Sequence, residues 1–204
     1  IEKTEKSLYE LAEKGSYNSN IIKFDEAMKQ TIDMASAAYK NEGGIVGVPT
    51  GLRDLDYKLG GLHQSDLIII AGRPSMGKTS LATNIAFNAA KNLQDSGKKS
   101  SIAFFSLEMS SEQLSTRIIS EQARISSNDI RQGRISDDQF DKFLETSKDI
   151  ADLPLYIDET PALSIAAMSN RARRIKRRSG LDMIVVDYIQ LMSCLLYTSP
   201  SPRD

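Results

Sequence analysis

Apolar and polar positions along the chain change period from block to block, and each change predicts an element. Between residues 2 and 14, Leu8, Leu11 and Ala12 stand among charges, the pattern of a short amphipathic helix. Residues 15–20 are polar and turn-rich, a linker by composition. Phe24 to Lys40 repeats at helical spacing, with Ala27, Met28, Thr31, Ile32, Met34, Ala35 and Ala38 on one broad face, and Gly43 and Gly44 stop it. From Ile45 the pattern becomes that of a folded domain. Val48-Pro49-Thr50-Gly51 and Leu59-Gly60-Gly61-Leu62 read as turns. The uncharged run Leu67-Ile68-Ile69-Ile70-Ala71 predicts a buried strand, and 79–91 the helix after it.

Further strands are predicted at 102–107, 155–158 and 183–187. A helix over 111–124 has Ser110 and Ser111 as candidate caps and Glu112 in its first turn; a helical turn follows at 127–132. Ser136 starts a helix whose Phe140, Phe143, Leu144 and Ile150 share a face, and 164–178 a last one, with Ile165, Met168, Ala172 and Ile175 on one side. Strands alternating with helices predict an α/β fold, a parallel sheet covered on both faces. Such sheets bind ligands beyond the carboxyl ends of their strands, where Gly72, Glu108, Asp158 and Asp187 all fall.

Composition narrows the class without choosing the chemistry. The chain's 204 residues suffice for one α/β domain and an appendage. Lys and Arg number 26 against 27 Asp and Glu, a net charge of -1, so any surface for nucleic acid must be local. No apolar run approaches the ~20 residues that span a bilayer, and the charged start, Ile1-Glu2-Lys3-Thr4-Glu5-Lys6, shows no signal peptide. The single cysteine excludes an internal disulfide framework and suits a reducing, cytoplasmic location. A first residue other than Met leads us to expect a fragment.

The candidate chemistry centres on Gly72-Arg73-Pro74-Ser75-Met76-Gly77-Lys78-Thr79, a G-x-x-x-x-G-K-T phosphate loop between a predicted strand and a predicted helix. Glycines let the backbone aim several N–H donors at one phosphate, and the helix start adds its positive dipole end. Gly72, Arg73, Pro74, Ser75, Met76, Gly77, Lys78, Thr79 and Ser80 are therefore the candidate nucleotide-binding residues. Lys78 would reach the β- and γ-phosphates of ATP and the Thr79 hydroxyl would ligate Mg²⁺. Asp187, after four apolar residues, fits the carboxylate that holds Mg²⁺, usually through water. Glu108 ends the next predicted strand after the loop, where RecA-like ATPases carry the base that polarises the attacking water. His63, the only histidine, reads as exposed rather than catalytic. Arg171, Arg173, Arg174, Lys176, Arg177 and Arg178 could meet DNA phosphates, but a solvated outer face or a subunit contact is the preferred reading.

Three motifs, Gly72 to Thr79, Phe105-Ser106-Leu107-Glu108-Met109-Ser110 and Val186-Asp187-Tyr188-Ile189-Gln190-Leu191-Met192, together resemble the replicative DNA helicases of the DnaB family. Pro49-Thr50-Gly51-Leu52-Arg53-Asp54-Leu55-Asp56 and Gly60-Gly61-Leu62 fit the start of that family's ATPase domain. The resemblance implies a RecA-like phosphate-loop fold and a homohexameric ring that translocates on single-stranded DNA with ATP and Mg²⁺. It also implies an active site shared between neighbours, and primase and a helicase loader as partners. Residues 1–22 would hold the linker helix, docked on the adjacent subunit, and a flexible linker; 23–192 would be the ATPase domain, incomplete at its C-terminus. Residues 193–204 depart from the pattern and are expected to be a disordered, foreign tail. The family's N-terminal domain, DNA-binding loops, phosphate-sensing strand and arginine finger are not in the chain, so weak nucleotide binding and poor hydrolysis are expected of it. A RecA- or RadA-like recombination ATPase and a non-catalytic assembly module are the alternatives.

Overall fold

The structure, a computed structural model, describes residues 23–40 and 45–193. The expected helix over residues 2–14, the linker at 15–20 and, of the tail expected at 193–204, residues 194–204 lie outside the described residues; Ser193 is not part of a disordered tail, since its N–H donates to the Leu163 carbonyl at 3.2 Å. The chain divides into two units, Ile1–Gly44 and Ile45–Asp204. In the first, α1 (Phe24–Lys40) forms as its periodicity predicts, with Asp25 and Glu26 in its first turn, where the helix dipole favours acids.

In the second unit three parallel strands form a sheet in the order β2-β1-β3. Central β1 (Ile102–Ser106) pairs with β2 (Leu155–Asp158) on one side and β3 (Met183–Asp187) on the other. Every residue of β1 is buried, as a central strand covered on both faces must be. Alternation sorts the side chains. Ile102 and Phe104 pack with Ala86, Ala89, Ala90 and Leu93 of α3 (Lys78–Asp95) and with Leu114 of α4 (Ser111–Ala123). Ala103 and Phe105 point the other way, towards Ala172 of α7 (Ile165–Ser179) and Leu163. Ala86, Ala89 and Ala90, each fully buried, let the backbone of α3 lie close to the sheet.

The predicted strands at 102–107, 155–158 and 183–187 and the helices predicted between residues 24 and 178 are found, with end shifts of a few residues. The helix after α4, α5 (Ser127–Arg131), is one short turn, and α6 (Asp137–Asp149) follows it. The serine caps are real. Ser110 and Ser136 each close a reciprocal capping box, with Gln113 and Gln139, and Ser164 caps α7. One helix was not foreseen: α2 (Arg53–Leu59) fills the space between the two predicted turns, ending on Gly60 at φ 69.

The buried strand expected at 67–71 is a correction. Those residues form no regular element: no strand pairs with them and they make no backbone–backbone hydrogen bond among the described residues. Leu67 is 86% exposed and Ile69 78%. An apolar run becomes a buried strand only beside a backbone partner, and the sheet ends at β3, which pairs with β1 alone.

Candidate functional site

The phosphate loop leaves its own amides open. Residues 71–77 are exposed, and Ser75 (φ 64) and Gly77 (φ 84) adopt left-handed backbone. A side-chain carbon at Gly77 would meet nothing within 4 Å, so glycine is favoured there by φ and not by protein packing. Helices α4, α5, α6 and α7 each start on a serine hydroxyl that accepts a first-turn N–H. α3 starts on Gly77, with no side-chain cap and no acid in its first turn. Its leading N–H groups and dipole are thus left for an external anion.

Lys78 Nζ donates to the Gly72 carbonyl at 2.7 Å, bridging the loop it closes. The Thr79 carbonyl accepts from Thr83 Oγ1 at 2.7 Å, and the Ser80 hydroxyl accepts from Arg117 Nη1 at 3.2 Å. The Arg117 bond ties α4, which follows Glu108, to the first turn of α3.

Glu108 and Asp187 lie at the carboxyl end of the sheet, on neighbouring strands. Ser106 pairs with Asp187 across β1 and β3, and the next N–H, Leu107, donates to the Asp187 carbonyl at 2.7 Å. Glu108 follows directly and is exposed. Asp187 is 6% exposed, and its Oδ2 has no hydrogen-bond partner among the described residues. Buried carboxylate oxygens do not stay unpaired without cost, so this orphaned atom fits a cation. Mg²⁺ keeps several waters and takes only one or two carboxylates beside phosphate oxygens. Asp187 supplies one such carboxylate, whereas the described residues hold no group of three or more His, Cys, Asp or Glu for a self-sufficient metal site.

Asp158, at the third strand end, has a partner already. Both its oxygens accept from Arg171 Nη1, at 2.7 and 2.6 Å, and Oδ1 also accepts from the Thr160 hydroxyl at 2.7 Å. Burial works upward on this carboxyl, but the bonds from Arg171 and Thr160 outweigh it and hold its pKa below the usual value. Neighbouring Glu159 accepts from the backbone N–H of Ser111 at the start of α4, which lowers its own pKa. The pair therefore pins α7 and α4 to the end of β2. His63 is exposed, and its Nε2 donates to the Leu59 carbonyl at 3.1 Å. Of the basic series only Arg171 has an acidic partner among the described residues.

Two contributors escaped the sequence reading. Asp56, 6% exposed, accepts from the Thr50 N–H and hydroxyl, both at 2.8 Å, and from the Gly51 N–H at 3.0 Å. Asn88 of α3 donates to the Thr50 carbonyl at 3.0 Å, so the clasp fixes the 49–52 turn against the phosphate-loop helix. Its only sequence signal was an acid six residues beyond a Thr-Gly turn. Arg117 gave none, because nothing in a helical pattern says which exposed-looking arginine turns inward.

A parallel α/β sheet, an uncapped glycine-led helix carrying Lys-Thr, and an unpaired aspartate at a strand end define a phosphate-loop nucleotide-binding domain of the RecA-like kind. The DnaB-like helicase C terminal domain family matches residues 47–203, and the chain belongs to that family. It is 44% identical over 197 residues to the replicative DNA helicase DnaB of Rickettsia conorii, covering 94% of this chain and 40% of that protein. With the replicative DNA helicase DnaC of Bacillus subtilis it shares 34% over 192 residues, covering 94% and 41%. The solved structure of an ATPase domain superposes with a TM-score of 0.77 at 26% identity, over 87% of this chain and 61% of that one. A DnaB-like replicative helicase, described with its interactions with primase, gives 0.73 at 25%, over 96% and 46%. The chain thus spans about two fifths of the length of the curated relatives it matches.

Proposed function

We propose that the chain is the nucleotide-hydrolysing part of a replicative DNA helicase motor, which couples ATP hydrolysis to movement along single-stranded DNA and to duplex unwinding. The observation that carries this reading is the start of α3. It is the one helix of α3–α7 that begins with no side-chain cap, and it begins with Gly77-Lys78-Thr79.

In this reading Gly72 to Ser80 hold the triphosphate by main-chain N–H groups, with the dipole of α3 behind them. Lys78 exchanges the Gly72 carbonyl for phosphate oxygens. Thr79 and Asp187 would hold Mg²⁺, which when bound would supply neutralisation of phosphate charge. Glu108 orients the attacking water and takes its proton. The productive unit is a homohexamer with primase and a loader as partners, as in the family the chain belongs to.

The test is nucleotide binding by the purified chain with Mg²⁺, read by fluorescence of a labelled ATP. Lys78→Ala should weaken binding by tenfold or more, about 1.4 kcal/mol. Equal affinity of the two proteins would remove the phosphate loop from the function.

A further inference from the structure

Glu108 lies in a bend, residues 107–109, that is held from both sides. On the β3 side the Leu107 N–H donates to the Asp187 carbonyl at 2.7 Å. On the β2 side the Ser111 N–H donates to the Glu159 carboxylate. A third contact closes the bend from within: Ser106 Oγ donates to the Met109 carbonyl at 2.6 Å and accepts from the Met109 N–H at 3.2 Å. The Glu108 side chain itself is exposed, and among the described residues no ion pair holds its carboxylate. Aiming that carboxylate therefore falls to the backbone.

Helix capping does not account for the Glu159 bond. The start of α4 already has its reciprocal box, in which the Gln113 N–H donates to Ser110 Oγ and the Ser110 N–H to the Gln113 side chain, both at 3.2 Å. The Ser111 N–H sits at an exposed helix start, where water could serve it equally well. What Glu159 adds is a link from another strand. Phe105 pairs with Asp158 across β1 and β2, which brings residue 159 alongside the bend that follows β1. The residues on either side of Glu159 are anchored in turn. Asp158 Oδ1 accepts from the Thr160 N–H at 3.1 Å, and Arg171 Nη1 of α7 donates to the Thr160 hydroxyl at 2.6 Å as well as to Asp158. Glu159 thus reaches α4 from a fixed base.

We propose that Glu159 is a positioning residue for Glu108. By holding the Ser111 N–H it fixes the far end of the bend, and with it the direction in which the Glu108 carboxylate is presented. The inference rests on the reading of Glu108 as the group that takes the proton of the attacking water. Glu159 acts only through Ser111. A misplacement of about 1 Å at a reacting group can cost about 10²-fold in rate, so a bond this far from the chemistry still matters to turnover. The role needs an acceptor oxygen rather than a charge: glutamine keeps it and alanine does not.

The experiment joins ATP-hydrolysis kinetics to amide hydrogen exchange on the same variants. Glu159→Ala should lower kcat by about 10–10²-fold with KM for ATP unchanged, and Glu159→Gln should restore most of it. Glu112→Ala removes an acid from the same first turn without touching the bend, and should keep the parent kcat. Added to Glu108→Gln, Glu159→Ala should cost nothing more, because it acts through the group already removed. The Ser111 amide should exchange faster in Glu159→Ala and near the parent rate in Glu159→Gln. Unchanged exchange at Ser111 in Glu159→Ala would overturn the proposal, as would an unchanged kcat or a loss that adds fully to that of Glu108→Gln. An equal loss from Glu112→Ala would reduce the effect to charge at a helix start and overturn it too. Turnover by Glu108→Gln as fast as the parent is a different failure: the proton-acceptor reading falls first and takes this role with it, whatever Ser111 shows.

Discussion

The backbone N–H of Leu107 donates to the carbonyl oxygen of Asp187 at 2.7 Å, and this bond fixes the end of β1 to the end of β3. Glu108 and Asp187 therefore leave the sheet on neighbouring strands. One is exposed and free to meet water, the other buried with an oxygen unpaired. That division of environments matches a proton acceptor on one strand and a metal ligand on the next. It follows that Glu108→Gln should leave nucleotide affinity near the parent value while lowering turnover by about 10²–10⁴. Labelled-ATP titration and phosphate release, measured on the same preparations, separate the two effects. A parallel loss of binding would place Glu108 in the cradle rather than at the water.

Gly77→Ala separates fold from ligand. At φ 84 a side chain costs about 1–2 kcal/mol, yet no protein atom lies near the added carbon. Urea unfolding should therefore show a loss of that size, whereas nucleotide affinity should fall further, because the carbon projects into the space a phosphate would fill. A fall in affinity no larger than the stability loss would argue that the loop does not close around the ligand at this position.

The Thr50–Asp56 clasp should govern stability. Asp56→Ala strands the buried Thr50 N–H and hydroxyl and the Gly51 N–H, at about 1–3 kcal/mol for each donor left unmet. Asp56→Asn keeps the shape but offers one acceptor fewer, and should fall between parent and Ala. Urea midpoints in the order parent, Asn, Ala are expected. Indistinguishable midpoints for parent and Ala would mean that water replaces the carboxylate.

Acid should loosen the edge of the sheet. The Asp158 and Asp182 carboxyls both sit below their ordinary value of 3.8. Burial pushes each upward, but hydrogen bonds from a cation and a hydroxyl outweigh it: Arg171 and Thr160 for one, Lys98 and Ser100 for the other. The unfolded chain then binds protons more readily than the folded one. The stabilisation is complete above the ordinary value and is lost as pH falls through the lower folded one. Melting temperatures recorded downward from neutral pH should drop more steeply for the parent than for Asp158→Asn below about pH 4. Parallel curves would show that the Arg171 bond gives no net stabilisation in solution.

Much of this molecule was legible because its signals are local. Ser110, Ser136 and Ser164 precede apolar periodicity, and each caps a helix. Met183 to Asp187 carries β character and a terminal acid within five residues, and it forms β3 as read. The phosphate loop is a spacing of residue types that only one backbone shape satisfies. What stayed hidden depends on distant partners. Asp56 gains its role from a turn folded back on it, and Arg117 from a helix 37 residues away in sequence. The basic face of α7 was visible as a list of residues, but only the packed sheet shows which of them has a partner: Arg171 faces Asp158, and its neighbours face solvent.

Leu67 to Ala71 is the same lesson in reverse, and it yields the sharpest contrast in stability. Hydrophobicity alone predicts burial, but burial of a strand needs a neighbour for its backbone as well as cover for its side chains. With β3 pairing only β1, the run has no such neighbour among the described residues, and Leu67 and Ile69 stand 86% and 78% exposed. Leu67→Ser and Ile69→Ser should therefore change the unfolding free energy of this chain by no more than about 0.5 kcal/mol each. Phe104→Ala, in a strand residue 2% exposed, should cost about 3–5 kcal/mol. Equally large losses at Leu67 and Ile69 would mean that the run is covered in solution, with a backbone partner beside it.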